Sequence, residues 1–411
     1  MNRNQFSLLL FLVVVLGLAG LMVYNRQNAA GRSGDATLGK KLLPNLPLND
    51  IAHIALKQGT NQLNLAKKDG TWRVRERNDY PANYSEISDF LIKAKDLKIV
   101  QNEQVGPSQL GRLELVPGQG TNAALEVAFK DQSDKTIQSL LLGKKHMQKA
   151  KTPSPYGDLG ENGWPDGRYV KVGGSSDSVA VISDALANIE PKPEQWLNKD
   201  FLKVEKVRSV AVAFPQETNS WKLSRETESG EWKLSDPKPA EQLDSTKSAS
   251  VSNPLSSPSF SDVDTVSKPE QLGLDKPTVV TLDTFDNFTY TLKVGQKTND
   301  NYPLMVAVAA QLPKERASGK DEKQEDKDKL DKQFKEQQKK LEEKFAQEQA
   351  FQNWTYLVSS WTLDPLLKNR SQLLVEKKEE PKKDEGKKED KPAASIIEPP
   401  KAAVAGASGA K

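Results

Sequence analysis

The chain has 411 residues, and its 59 Lys and Arg against 56 Asp and Glu leave a net charge of +3, too little for a global field that would gather nucleic acid or an acidic substrate. It has no cysteine, which excludes disulfides, thiolate metal sites and cysteine nucleophiles, and only two histidines, His53 and His146, are there to serve any imidazole chemistry. The length suits two domains better than one.

The first segment, "FSLLLFLVVVLGLAGLMVY" at 6–24, carries no charge. As a helix it would span about 28 Å, close to the hydrocarbon thickness of a bilayer. A cleaved signal peptide would have a shorter apolar region followed by a small-x-small site, and the one available, at Asn28, Ala29 and Ala30, lies downstream. The segment is therefore read as a single-pass inner-membrane anchor over 1–24. Arg3 precedes it and Arg26, Arg32, Lys40 and Lys41 follow it, so flanking charge alone does not put the N-terminus inside. A long soluble domain translocates regardless of its flanks, so the C-terminal domains are expected to be periplasmic. Residues 25–42, polar and glycine-bearing, read as a linker.

A first unit is expected over 43–202. "IAHIALKQ" reads as a strand buried on both faces. In "QLNLAKKDGTWRVRE", Asp69-Gly70 marks a hairpin turn before Trp72. Ile87, Phe90, Leu91, Ala94 and Leu97 recur at helical spacing, with Asn83 or Ser85 as N-cap. "PSQLGRLEL" at 107–115 reads as a short helical turn ending at Gly111. Strands follow at "AALEVAFK", "IQSLLLGKK", "GRYVKV" and "SVAVIS", and "EPKPEQWLNKDFL" closes the unit.

A second unit over 203–375 replays this order. "VRSVAVAF" answers the first strand, Trp232 stands in the place of Trp72, "PEQLGLDKP" at 269–277 answers "PSQLGRLEL", and Gly295 answers Gly143. The ordered recurrence points to a tandem pair. Two differences stand out. The counterpart of the first unit's helix is serine-rich and interrupted by Pro254 and Pro258. A charged helical insertion also enters at 314–350, where Leu330, Phe334, Leu341 and Phe345 form one narrow apolar stripe. Residues 376–411, rich in Lys and Glu and then Ala and Pro, are expected to be disordered. The fold class expected is α+β: an N-terminal transmembrane helix, then two tandem, structurally similar sheet-plus-helix units.

Sites are few. His53 reads as a satisfied strand histidine. His146 has no HxH or HExxH partner, so no metal or cofactor site is expected. There is no G-x-S-x-G elbow or phosphate-binding G-x-x-x-x-G-K-[ST] motif, and an uncatalogued hydrolase would have to use one of the two histidines. Two partner-binding candidates stand beside bland readings. The first is a basic loop with Lys144, Lys145, Lys149, Lys151, Tyr156, Trp164 and Arg168: either a solvated connection, or a surface for an acidic partner or lipid headgroups. The second is the stripe of Leu330, Phe334, Leu341 and Phe345, which either packs on its own unit or binds a partner.

The succession of an apolar N-terminal helix, a "DGTW" hairpin, "PANYSEISDFL", "LGKK", "GRYVKV", "VAVISDAL" and "WLNKDFL" resembles the bacterial domain of unknown function 4340 family, over 43–202 and more loosely over the second copy. The resemblance implies a single-pass envelope protein accompanying an ABC transporter of the gliding-motility type, with a permease and a large auxiliary protein as partners. It implies no catalytic residues. The expected function is thus a non-catalytic accessory subunit acting by protein–protein interaction. The alternative is a module binding envelope polysaccharide or peptidoglycan through exposed Trp and Tyr.

Overall fold

The computed structural model describes residues 15, 17–20, 22, 37–120, 122–148, 164–173, 178–239, 241–251, 255–316 and 322–376. The apolar segment at 6–24 falls largely outside them. Its described positions are helical and exposed, Val15, Leu18 and Met22 among them. No helix among the described residues is long and apolar enough to cross a membrane. The polar tail lies outside the described residues beyond Glu376.

Alternating apolar residues build the first sheet from β1 (His53–Gln58), β2 (Asn61–Lys68), β3 (Thr71–Val74), β4 (Tyr80–Pro81), β5 (Ile99–Gln104), β6 (Leu125–Lys130), β7 (Thr136–Gln148), β8 (Trp164–Val172) and β9 (Ser178–Ile182). Their spatial order is β4-β3-β2-β1-β6-β7-β8-β9-β5. The β2–β3 turn uses Asp69 and Gly70 at φ 52° and 76°, the left-handed pair that a tight hairpin requires. Helix α1 (Tyr84–Asp96) starts at Asn83, whose side chain accepts from the Ser85 and Glu86 amides. Its apolar stripe buries Ile87, Phe90, Leu91 and Ala94. The Phe90 ring lies 5.7 Å from that of Phe129 on β6 and 6.1 Å from that of Trp196.

The second sheet comprises β10 (Val207–Ala213), β11 (Trp221–Ser224), β12 (Lys233–Leu234), β13 (Phe260–Asp264), β14 (Thr278–Thr284), β15 (Phe288–Val294), β16 (Asn301–Ala310) and β17 (Thr355–Ser359). Its order is β12-β11-β10-β14-β15-β16-β17-β13. Leaving β4 aside, the two orders correspond strand for strand from β3 with β12 to β5 with β13. Pairings are antiparallel throughout both sheets. The protein is thus α+β with two antiparallel sheets and few helices.

The helical complement differs. Where the first sheet has α1, the second has only α2 (Ser245–Ala249), as the serines and prolines of that segment dictate. The charged insertion forms α3 (Gln324–Gln349), about 39 Å long at 1.5 Å per residue.

Both sheets lie in one compact unit ending at Leu374 and share one apolar cluster. Tyr80 of β4 meets Phe260, Trp354 and Tyr356 at centroid distances of 5.8, 4.9 and 6.1 Å. Phe201 lies 4.6 Å from Tyr356. Beside these rings, Arg77 donates through Nε and Nη2 to both carboxylate oxygens of Asp262, each at 2.7 Å. The "WLNKDFL" phrase is the strap between the sheets: Trp196 and Leu197 are buried, and Lys199 donates to the Ser261 carbonyl at 2.7 Å.

Three sequence expectations need correction here. Residues 37–42 are not free linker, because Gly39 donates to the Ile99 carbonyl and Leu42 to that of Leu97, pinning the chain beside β5. The "PSQLGRLEL" turn is a 3-10 helix over Pro107–Leu113 that continues past Gly111, because Glu114 rather than the glycine takes the left-handed position at φ 57°. Strands β5 and β13, unpredicted, close the far edges of their sheets.

Candidate functional site

Where the two sheets diverge, the first gains a projecting ribbon. Strand β6 ends opposite Leu142 and β9 ends opposite Arg168, while β7 and β8 continue to pair out to Gln148 and Trp164. The residues read as a basic loop are therefore strand residues wherever they are described. Ladder hydrogen bonds use the backbone, so lysine side chains do not forbid them. In the second sheet the equivalent strands reconnect between Val294 and Asn301, with a bridge from Thr298 to Asn301, and no ribbon forms.

Gly143 sits at the ribbon's root. A Cβ there would overlap the carbonyl oxygen of Leu113 and the side chain of Leu115, so glycine lets the 3-10 turn rest on the strand. Gly295 also meets a carbonyl of its turn, that of Leu272, which answers Leu110 of the first phrase and not Leu113. The recurrent phrase and the recurrent glycine are thus two halves of one contact.

Between the turn and the ribbon lies a cleft of about 560 Å³. Its walls carry Arg112, Lys144, Lys145 and His146, with Met147, Val105, Leu113 and Tyr169 as apolar or aromatic surface. Arg112 and Lys144 make no ion pair or hydrogen bond among the described residues. Lys145 donates only a long bond, 3.4 Å, to the Ala187 carbonyl. His146 is held by Asp166, Nδ1 to Oδ1 at 2.6 Å, and its ring lies 5.9 Å from that of Tyr169. The lining acid Glu103 accepts from Gln101 at 2.6 Å. Three cations, Arg112, Lys144 and Lys145, thus share the lining with one carboxylate, Glu103, and with positive charge in excess the cleft suits an anion.

Arg168 does not face this cleft as a contact residue. It is 7% exposed and donates to the carbonyls of Gly143 at 2.7 Å and Leu186 at 3.3 Å. Burial lowers its pKa, partly offset by Glu114 and Glu190. It braces the ribbon's root from inside. Trp164, 56% exposed, stands at the ribbon's end. Lys149, Lys151 and Tyr156 lie outside the described residues. Arg112, Met147 and Tyr169 were missed in the sequence. One signal for Arg112 was available: it occupies the position in "PSQLGRLEL" that Leu274 fills in "PEQLGLDKP".

The second candidate divides. Leu341 and Phe345 pack against the core, Phe345 with its ring 6.2 Å from Phe288, and so are not free for a partner. Glu348 anchors the same end, accepting from Tyr290 Oη at 2.7 Å and the Lys203 amide at 3.0 Å. Burial raises its pKa. Leu330, 38% exposed, and half-buried Phe334 stand outside the core cluster. At the helix start, Arg316 holds Glu322 and Asp331.

His53 is buried within the first sheet, with Nδ1 2.5 Å from Asp134 and Nε2 3.0 Å from the Asn64 side-chain oxygen. Among the described residues no three His, Asp or Glu side chains gather as a metal-holding group.

A family model, Domain of unknown function (DUF4340), matches residues 158–277. The match straddles the two sheets instead of covering 43–202: it takes in β8, β9, the "WLNKDFL" strap, β10 to β13 and the "PEQLG" turn. No curated protein and no solved structure matches the chain.

Proposed function

From a chain that is a DUF4340 protein over its central segment, we propose a membrane-anchored, non-catalytic periplasmic subunit of an ABC-type envelope complex, acting by protein–protein interaction. The observation that carries this reading is the ribbon and its cationic cleft, present on one of two sheets that otherwise share their strand order. Parts common to both sheets serve the fold. A part found on one alone is free to serve recognition. The apolar run at 6–24 supports the anchor, and its described positions are helical and exposed. Residues 37–42, fastened to β5, would hold the sheets at a short tether from the bilayer.

Affinity purification of the full chain from detergent-solubilised membranes tests the proposal. A permease and a large auxiliary protein are expected to co-purify, and their absence from otherwise intact preparations contradicts it. The second reading, binding to envelope polysaccharide, draws on Trp361 at 88% exposure and Trp164 at 56%. Co-sedimentation with purified peptidoglycan, lost on Trp361→Ala, would favour it instead.

A further inference from the structure

In each sheet the last strand in spatial order meets the segment that leads the chain into that sheet. Val204 donates its amide to the Leu255 carbonyl ahead of β13, as Leu42 does to the Leu97 carbonyl ahead of β5. The two strands also break register at the same place, after Phe260 and after Ile99. Around β13 this corner is covered by the first sheet: Phe260 and Val263 are buried, and Arg77 holds Asp262. Around β5 it is bare. None of Ile99, Gln101 and Asn102 is buried, Val100 is 56% exposed, and Leu38 is exposed beside Gly39, whose amide bonds the Ile99 carbonyl. Ile92, exposed too, stands one turn before Asp96 on α1. Basic charge gathers on the same corner. Lys40, Lys95 and Lys98 are exposed, and their ammonium groups make no ion pair or hydrogen bond among the described residues. Lys41 donates to Asp96 at 2.7 Å. That bond, with Lys95 and Lys98 near enough to add to it, holds the Asp96 carboxyl below its ordinary value, so lysines from both segments converge on one acid. The chain also arrives here from the apolar run at 6–24. Twelve residues, 25–36, separate that run from Thr37, and fully extended they reach about 40 Å at most.

We infer that this corner of the first sheet, with Leu38, Lys40, Ile92, Lys95, Lys98 and Val100, rests on the headgroups of an anionic phospholipid bilayer. The free ammonium groups meet lipid phosphates, each lysine near the surface adding about fivefold in affinity. The exposed apolar side chains among them enter the headgroup layer. The second sheet, whose corresponding corner is spent against the first, has no such contact to make. The inference rests on the membrane-anchor reading and adds to it which face of the protein the bilayer meets.

Because the chain has no cysteine, a single label tests this. Full-length Val100→Cys and, as control, Val266→Cys are labelled with an environment-sensitive fluorophore and reconstituted into vesicles of phosphatidylcholine with or without phosphatidylglycerol, each carrying a lipid with a spin-labelled headgroup as quencher. In vesicles with phosphatidylglycerol the label at position 100 is expected to be quenched several-fold more than the label at 266. The difference should fall in phosphatidylcholine alone and in high salt. Lys95→Glu together with Lys98→Glu is expected to lower the ratio of docked to free label by about tenfold or more. Lys332→Glu, a charge reversal on α3, should leave it unchanged. A label at 100 that stays in water overturns the inference, as does quenching that is equal without phosphatidylglycerol or an equal loss with Lys332→Glu. A label shielded from water yet not quenched by the lipid means that a second copy of the chain covers the corner, which overturns it too. If the chain integrates into the vesicles and position 100 stays in water, the corner contact falls and the anchor reading stands; if the chain does not integrate, both fall.

Discussion

Gly143 and Gly295 show how a single residue type sets the architecture twice. At Gly143 in β7 and at Gly295 just after β15 a turn's carbonyl presses on the backbone, and neither position has room for a Cβ. Gly143→Ala or Gly295→Ala is expected to cost about 1–3 kcal/mol by overpacking, read by urea denaturation. Loss of neither would mean the turns are not seated on their strands. Arg370 gives a second test at this scale. Its guanidinium hydrogen-bonds Glu241 and, with help from the Lys238 amide, holds that carboxyl down at about 2. The folded-state value is depressed, so the contribution is full above the ordinary carboxyl range and disappears as pH falls toward about 2. The melting-temperature difference between the native chain and Glu241→Gln should therefore shrink through that window. A difference independent of pH contradicts the pairing.

At the scale of elements, α3 is fastened at one end. Its C-terminal half carries Phe345 against Phe288 and Glu348 under Tyr290, while Leu330 and Phe334 stay outside the core. Phe345→Ala is expected to cost about 1–3 kcal/mol and Phe334→Ala less than about 0.5 kcal/mol, measured by thermal unfolding. Equal losses would place both on the body. The sequence made the stripe legible, because helical spacing reports which residues share a face, but not where along it the support ends. Strands with alternating apolar residues, such as β6 and β15, were equally legible. Strand β5 was not: it lies at a sheet edge and none of its residues is fully buried, so no alternation marks it. The ribbon was read as a loop because its lysines hide a ladder made by backbone alone. The cleft was half legible, since Lys144 and Lys145 drew notice by charge while Arg112 lies far away in sequence and meets them only through the fold.

For the whole molecule, the two sheets share a strand order, β4 aside, yet do not stand apart. The aromatic cluster around Tyr80 and the Arg77–Asp262 pair join them, contacts between distant residues that no local spacing announces. Asp262→Ala is expected to cost about 1–3 kcal/mol, the range for a bidentate bond to a charged partner, and to lower a single cooperative melting transition. Two separated transitions in the native chain would show the sheets to be independent. The matched family segment should behave accordingly. A fragment of 158–277 contains β8 to β13 but lacks the central strands of both sheets. It is expected to be unfolded by circular dichroism, and a cooperative melt would contradict the dependence of these strands on the rest of their sheets.

The most direct measurement is site-specific photo-crosslinking in intact membranes, with a photoreactive amino acid at Met147 in the cleft and, as control, at Val266, which is 89% exposed. The expected result is an adduct from position 147, absent from position 266, in which mass spectrometry identifies the permease or auxiliary protein of an ABC-type complex. No adduct at 147 from a folded chain, or an adduct only with lipid or polysaccharide, would contradict the account.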